Sequence, residues 1–284
     1  MKKKLVFSVW LNSLITIAEV IGGLVSGSLA LLGDSLHNLS DTLSLLASFV
    51  AIKIGEKPKN EKYTFGYRRS EIIVAFLNAI SVVVISILIF VESMKRLMHP
   101  PTVHATVLLY VSLIGLVANL LSVLLLHEHT RESMNVRSAY LHLVADTLSS
   151  ILVVVGAVLM KFWKVYWLDP VIAAGITVYM FKEAYEILRE SLDVLMEASP
   201  DLDFESIKRE IEKIDGVRNA HHFHAWRVGE KEIHFECHVE VENMELKDAQ
   251  KILDEIESRL KRFGVTHVTV QLECNRCHGE MICS

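Results

Sequence analysis

The sequence predicts a membrane protein in two parts: an all-α domain of six transmembrane helices over residues 1–199, and a small α+β domain over residues 200–284. First, 51% of the residues are hydrophobic and the mean hydropathy is +0.36, which is too apolar for an ordinary soluble domain. Second, residues 200–284 hold 30 of the 63 charged residues, so the chain changes character near Ser199. Third, one short phrase occurs twice within the apolar part.

Six apolar segments are long enough for membrane-spanning helices, which need about 20 residues. They are Leu5–Val25, Leu29–Ile54, Ile72–Met94, Ala105–Leu126, Ser138–Met160 and Leu168–Leu188. The end of the second segment and the loop after it are basic, with Lys53, Lys57, Lys59, Lys62, Arg68 and Arg69. The positive-inside rule places this loop in the cytoplasm, and an even number of spans then places both termini there. We expect an inner or plasma membrane location and no nucleic-acid partner.

The C-terminal part carries the periodicities of a small domain, which we expect on the cytoplasmic side. Asp203–Ile214 and Lys247–Phe263 have apolar residues at helical spacing. Val217–Val228, Glu232–Glu242 and Val265–Leu272 have the character of strands. The order α-β-β-α-β predicts helices packed on one face of a sheet.

The repeated phrase reads H-x-x-x-D-T-L-S and begins at His37 and again at His142. Positions four apart on a helix share a face, so each copy directs one imidazole and one carboxylate the same way. Two such helices side by side would join four ligands: His37, Asp41, His142 and Asp146. Two nitrogen and two oxygen donors suit a tetrahedral Zn²⁺ site.

Three other interpretations of this set stay open. An ionised Asp at the bilayer centre costs about 2.5–3.5 kcal/mol, so the acids need partners, and pairs that only hold helices together are one alternative. A metal hydrolase is another, but it would need an open coordination position and a base, and no H-E-x-x-H is present. A zinc sensor is the third alternative, and it would keep the metal binding of the C-terminal part without transport. Asp34, Glu19, Asn78 and Asn119 are nearby polar residues that suit either helix packing or an ion path.

Two further stretches carry a family resemblance. Gly33-Asp34-Ser35-Leu36-His37 and Tyr63-Thr64-Phe65-Gly66-Tyr67-Arg68-Arg69-Ser70-Glu71, together with the repeated phrase, resemble the cation diffusion facilitator family over nearly the whole chain. The resemblance implies a zinc/proton antiporter with the four ligands as its transport site. It also implies a metallochaperone-like cytoplasmic domain through which two chains form a homodimer. Arg68 and Arg69 are expected to meet acids near Asp201.

The cytoplasmic part contains a second candidate metal site. His221-His222-Phe223-His224-Ala225-Trp226 resembles the family's V-H-D-L-H-x-W strand, and Thr269-Val270-Gln271-Leu272-Glu273 resembles its T-I-Q-L-E. The resemblance implies a regulatory zinc held by His221, His238, His267 and Glu273. The alternative is a set of surface histidines at a sheet edge.

The four cysteines, Cys237, Cys274, Cys277 and Cys283, all lie in the C-terminal part. In the cytoplasm disulfides are not expected, so metal binding is the favoured interpretation. Cys274-x-x-Cys277 is half of a typical zinc site, and a tail with free thiols is the alternative.

Overall fold

The structure, a computed structural model, describes residues 2–127, 134–229 and 232–274, without the side chains of residues 2–12, 45, 125–127, 134–139 and 142. The chain forms two compact units. The first is Met1–Phe49 with Leu77–Leu188, and the second is Val50–Phe76 with Arg189–Ser284. The division at residue 199 that the sequence predicts remains a prediction.

The described part of the first unit is helical. The long helices are α1 Lys2–Ser26, α2 Leu29–Gly55, α3 Ser70–Met98, α4 Ala105–His127, α5 Met134–Trp163 and α6 Leu168–Leu195. By length and apolar composition, three stretches of the described chain could cross a membrane: Ser70–Met98, Ala105–Leu124 and Leu143–Trp163. The apolar stretch Ser13–Ser26 is shorter. Helices α2 and α6 carry acids such as Asp34 and Glu183 among their apolar residues, and these acids make the two helices less apolar on average.

Small residues let these helices pack closely around a shared core. Ala157 of α5 and Ala173 of α6 are fully buried, as are the larger Leu31, Leu108 and Met160. Small side chains at helix contacts are typical of membrane proteins, because close approach there replaces the hydrophobic driving force.

Helix α2 begins at a cap that another helix supplies. The carboxylate of Asp169, in the first turn of α6, accepts hydrogen bonds from the Leu29 amide at 2.8 Å and the Ala30 amide at 3.3 Å. It also accepts one from the Ser28 hydroxyl. A helix start leaves four amides without partners, and a carboxylate there is further favoured by the helix dipole. Asp169 therefore fixes the start of α2, the helix that carries His37.

We expect Asp169→Ala to lower the free energy of unfolding by about 1–3 kcal/mol, because it removes the cap and leaves buried amides unpaired. Thermal unfolding in detergent measures this loss. Asp193→Ala is the matched control, since Asp193 is an exposed acid of the same helix. Equal melting temperatures for the two variants would contradict this role of Asp169.

The second unit contains a three-stranded sheet with helices on one face. After α7 (Phe204–Glu212) come β1 (Val217–Arg227) and β2 (Ile233–Val241), then α8 (Leu246–Leu260) and β3 (His267–Glu273). The strand order is β1-β2-β3, with β1 antiparallel and β3 parallel to β2.

The two faces of this sheet differ in chemistry. Ile207 and Ile211 of α7 and Ile256 of α8 bury one face, together with Phe235 and Val239 of β2. The alternate residues of β2 point to the opposite face, and they are His234, Glu236, His238 and Glu240. This face lies opposite the helices and is called the open face below. It is polar and rich in histidine.

The basic loop between α2 and α3 forms ion pairs within the second unit. Arg69 donates to Glu197 at 2.8 Å, and Arg68 pairs with Glu232. The sequence predicted acidic partners near Asp201 for both arginines. Glu197 lies close to Asp201 in the sequence, whereas Glu232, the partner of Arg68, does not. Exposed pairs of this kind contribute little stability singly.

Candidate metal centres

Helices α2 and α5 bring three of the four predicted transport ligands together. The Nε2 atom of His37 lies 3.3 Å from Oδ1 of Asp146 and 3.7 Å from Oδ2 of Asp41. Ligand atoms of the three residues all lie within 4.8 Å of one another. His37 and Asp146 are buried, and Asp41 is partly exposed. One imidazole and two carboxylates around one point match the donor types of a divalent-cation site.

The fourth predicted ligand, His142, lies on α5 four residues before Asp146, and its side chain is outside the described residues. The two copies of the phrase are nevertheless alike in local structure. Thr42 donates to the carbonyl of Asn38 at 3.1 Å, and Thr147 donates to that of Leu143 at 2.7 Å. Each threonine thus satisfies its hydroxyl within its own helix.

A second bridge joins α2 to α5 beside the ligands. The carboxylate of Asp34 accepts hydrogen bonds from Ser149 at 2.6 Å and Ser150 at 3.1 Å. Asn119 of α4 donates to the Ser150 hydroxyl at 2.9 Å. The sequence left two roles open for Asp34 and Asn119, helix packing or an ion path. In the structure both residues form hydrogen bonds between helices. Ser150 carried no signal in the sequence.

Helices α1 and α6 add two more polar contacts around α2. Asn38 donates to the buried Glu19 of α1 at 3.4 Å. Gly115 of α4 leaves room for this acid, because an added Cβ there would collide with the Glu19 carboxylate. The ring of Tyr179 in α6 lies 6.2 Å from that of His37, and the Tyr179 hydroxyl donates to Glu183 at 2.6 Å. No motif had marked Tyr179 or Glu183.

The open face of the sheet carries a second group. Nε2 of His221 lies 3.5 Å from Oε2 of Glu273, and Nδ1 of His238 lies 3.1 Å from Oε1 of the same carboxylate. His221 is fully buried and Glu273 nearly so. Nε2 of His221 and Oε2 of Glu273 have no hydrogen-bond partner. Buried polar atoms without hydrogen-bond partners are costly, so the chemistry of this pair suits a bound metal ion.

His267, predicted to join this group, lies elsewhere on the sheet. It stands opposite His234 in the register, with ring centres 4.6 Å apart, whereas Glu273 is opposite Glu240. His267 and Glu273 are six positions apart along the strand, a distance of about 20 Å. Burial, and then the neighbouring His267, lowers the pKa of His234.

The cysteines divide between the core and the chain end. Cys237 lies in the core on the helix side of β2, and burial raises the pKa of its thiol to about 12. It therefore stays a neutral thiol and does not face the histidine group. Cys274 is exposed at the end of β3, and Cys277 and Cys283 lie outside the described residues.

Comparisons with known proteins cover both parts of the chain. Over 276 residues it is 36% identical to the cadmium, cobalt and zinc/H(+)-K(+) antiporter of Bacillus subtilis (strain 168), covering 96% of this chain and 89% of that protein. It is 35% identical over 281 residues to zinc transporter ZitB of Escherichia coli (strain K12), covering 98% and 89%. It is 34% identical over 278 residues to metal cation efflux system protein CzcD of Cupriavidus metallidurans, covering 97% and 88%.

Two domain families match in succession. Residues 5–196 match the cation efflux transmembrane domain, and this range contains His37, Asp41 and Asp146. Residues 199–274 match the cytoplasmic domain of cation efflux proteins, and this range contains His221, His238 and Glu273. The chain therefore belongs to the cation efflux family, the cation diffusion facilitators that its sequence resembles, and is a transporter and not an enzyme.

Proposed function

We propose that this protein exports divalent cations, zinc foremost, in exchange for protons. The transport site consists of His37, Asp41, His142 and Asp146. The observation that carries the proposal is the meeting of His37, Asp41 and Asp146 within 4.8 Å, from two different helices. Carboxylates placed among apolar helices need a compensating charge, and a divalent cation between them supplies it.

The metal preference rests on the donor set and on the relatives. Imidazole and carboxylate ligands suit zinc, and they also accept cobalt and cadmium. One relative is named as an antiporter for cadmium, cobalt and zinc, and another as a zinc transporter. Zinc is accordingly the transported substrate in this proposal, with the other two ions as competitors.

Proton exchange follows from the chemistry of the ligands. Imidazole binds metal only when neutral, and a carboxylate only when ionised, so protons and metal compete for the same atoms. Protonation of the site on the outer side releases the cation, and deprotonation on the inner side restores the ligands. The name of the Bacillus subtilis relative includes H(+) among the exchanged ions, which supports this coupling.

The topology and assembly are also part of the proposal. Helices α1–α6 span an inner or plasma membrane six times with both termini in the cytoplasm, residues 1–199 forming the transport domain. Residues 200–284, with their α-β-β-α-β order, form a metallochaperone-like domain that joins two chains as a homodimer. The match of residues 199–274 to the family's cytoplasmic domain supports this arrangement.

The group of His221, His238 and Glu273 is assigned to a regulatory zinc ion. Its buried unpaired atoms on His221 and Glu273 fit a bound cation. Bound zinc would supply positive charge to the Glu273 carboxylate and tie β1, β2 and β3 together. His267 is too far away to join this group, and Cys274 and Cys277 are given no role in it.

Uptake of radioactive zinc into inside-out vesicles tests the proposal. An imposed pH gradient, acidic inside, should accelerate uptake, and a proton ionophore should abolish the acceleration. Cobalt and cadmium in excess should slow it. A metal sensor and an intramembrane metal hydrolase would both bind zinc, but neither would show uptake. A rate of zinc uptake that does not change with the pH gradient would contradict proton exchange.

A further inference from the structure

Strand β1 contains a bulge at its histidines. His221 is opposite His238 and His224 is opposite Glu236, so two residues of β1 face the single residue Cys237. His222, inside the bulge, has φ of 55°, a left-handed conformation that costs a non-glycine residue about 1–2 kcal/mol. The bulge sets His221 and His224 on the same open face although they are three apart. Bulges of this kind commonly redirect side chains at functional sites.

The bulge brings two imidazole nitrogens face to face. Nε2 of His222 and Nε2 of His224 are 3.2 Å apart, with the rings edge to face at 76°. Two nitrogens bound to one tetrahedral zinc at 2.0–2.1 Å would be separated by about 3.3 Å. Without metal, one ring donates a hydrogen bond to the other. The observed spacing of the two nitrogens is therefore close to that of two imidazole nitrogens sharing one cation.

The pair lies next to the buried group and on its exposed side. The ring of His222 is 4.4 Å from that of His238, which in turn contacts Glu273. His224 is exposed, whereas His221 is fully buried. The imidazoles thus form a continuous series from the surface to the buried ligands.

Space for further ligands adjoins the pair. His224 and its register partner Glu236 line a cavity of about 740 Å³ within the second unit. Two ring nitrogens leave half of a tetrahedral shell open, and water or a carboxylate can complete it. A cation held there would be less enclosed than one at His221, and it would exchange faster.

We propose that His222 and His224 form a second divalent-cation site, which loads the buried group of His221, His238 and Glu273. The proposal rests on the regulatory role assigned to that buried group. The ligand class is a borderline cation such as zinc or cobalt, because both donors are imidazoles. The cation binds first at the exposed pair and then passes by His238 to the enclosed ligands.

Equilibrium dialysis with zinc, on the full-length protein in detergent, tests the site. The variants are His222→Asn, whose new residue tolerates the left-handed backbone, and His224→Gln. Each should bind one zinc per chain less than wild type, or bind that zinc about 10–100-fold more weakly. Transfer of zinc from a chromophoric chelator to the buried group should also become slower in both.

Two controls separate the possible failures. His99→Gln removes an exposed imidazole of the other unit and should leave zinc stoichiometry and transfer rate unchanged. Glu273→Gln should remove the buried zinc and keep the zinc of the exposed pair. If Glu273→Gln changes nothing, the regulatory assignment fails while the pair is still tested by its own variants. Wild-type stoichiometry and transfer rate in a folded His224→Gln protein would overturn the loading site.

Discussion

Asp146→Asn is expected to reduce zinc flux by at least about 100-fold. Replacing groups that merely orient a metal ligand costs about 10–100-fold in affinity or activity, and removal of a charged ligand costs more. The substitution keeps the size of the side chain and removes the charge that faces His37 at 3.3 Å. Zinc-dependent uptake in reconstituted vesicles, at equal protein density, measures the effect.

The control for this experiment is Leu148→Ala. Leu148 lies two residues from Asp146 on the same helix and is exposed, so its loss should leave the ligands in place. Asp41→Asn should behave like Asp146→Asn, because both carboxylates face the same imidazole. Flux within twofold of wild type in a well-folded Asp146→Asn protein would refute the assigned transport site.

Glu273→Gln is expected to abolish the stabilisation of the cytoplasmic domain by zinc. A ligand at 100 times its dissociation constant stabilises the folded state by about 2.7 kcal/mol, and the variant should lose this contribution. The physical reason is that Glu273 contacts both His221 and His238, so one substitution disrupts the whole group. The upward shift of the melting temperature with added zinc measures the loss.

Glu257→Gln is the comparison for this variant. Glu257 is an exposed residue of α8 whose ion pair with Lys261 contributes only a few tenths of a kcal/mol. The Glu257→Gln protein should keep the full rise in melting temperature with added zinc. If Glu273→Gln kept that shift as well, the buried group would have no part in binding zinc.

The candidate transport site was accessible to sequence reasoning because it depends on local periodicity. A spacing of four residues places His37 and Asp41 on one face of a helix, whatever the rest of the fold does. The repeated phrase then indicated that a second helix would contribute in the same way, and Asp146 lies where this expectation puts it. The part played by His142 remains a prediction.

The surroundings of that site were not accessible, because they depend on contacts between distant segments. Asp169 caps α2 across 140 residues of sequence, and Asp34 meets Ser150 across 116. Nothing in the local pattern around Tyr179 indicates that its ring lies beside His37. Such partners follow from helix packing, which a single sequence does not specify.

The sheet illustrates the same limit in another way. The family resemblance placed His267 and Glu273 in one metal site, but the length of β3 separates the two residues. The bulge at His222 had no sequence signal, since no glycine marks it. The group of His221, His238 and Glu273 therefore required the register of the three strands.

The claim that α2 and α5 share one cation site is tested most directly by anomalous diffraction at the zinc edge. Crystals of the intact protein grown with zinc should show a peak bonded to His37, Asp41 and Asp146 at about 2.0–2.2 Å. The same peak should be missing in Asp146→Asn crystals. No peak between these helices, in zinc-bound protein that transports zinc, would contradict the account.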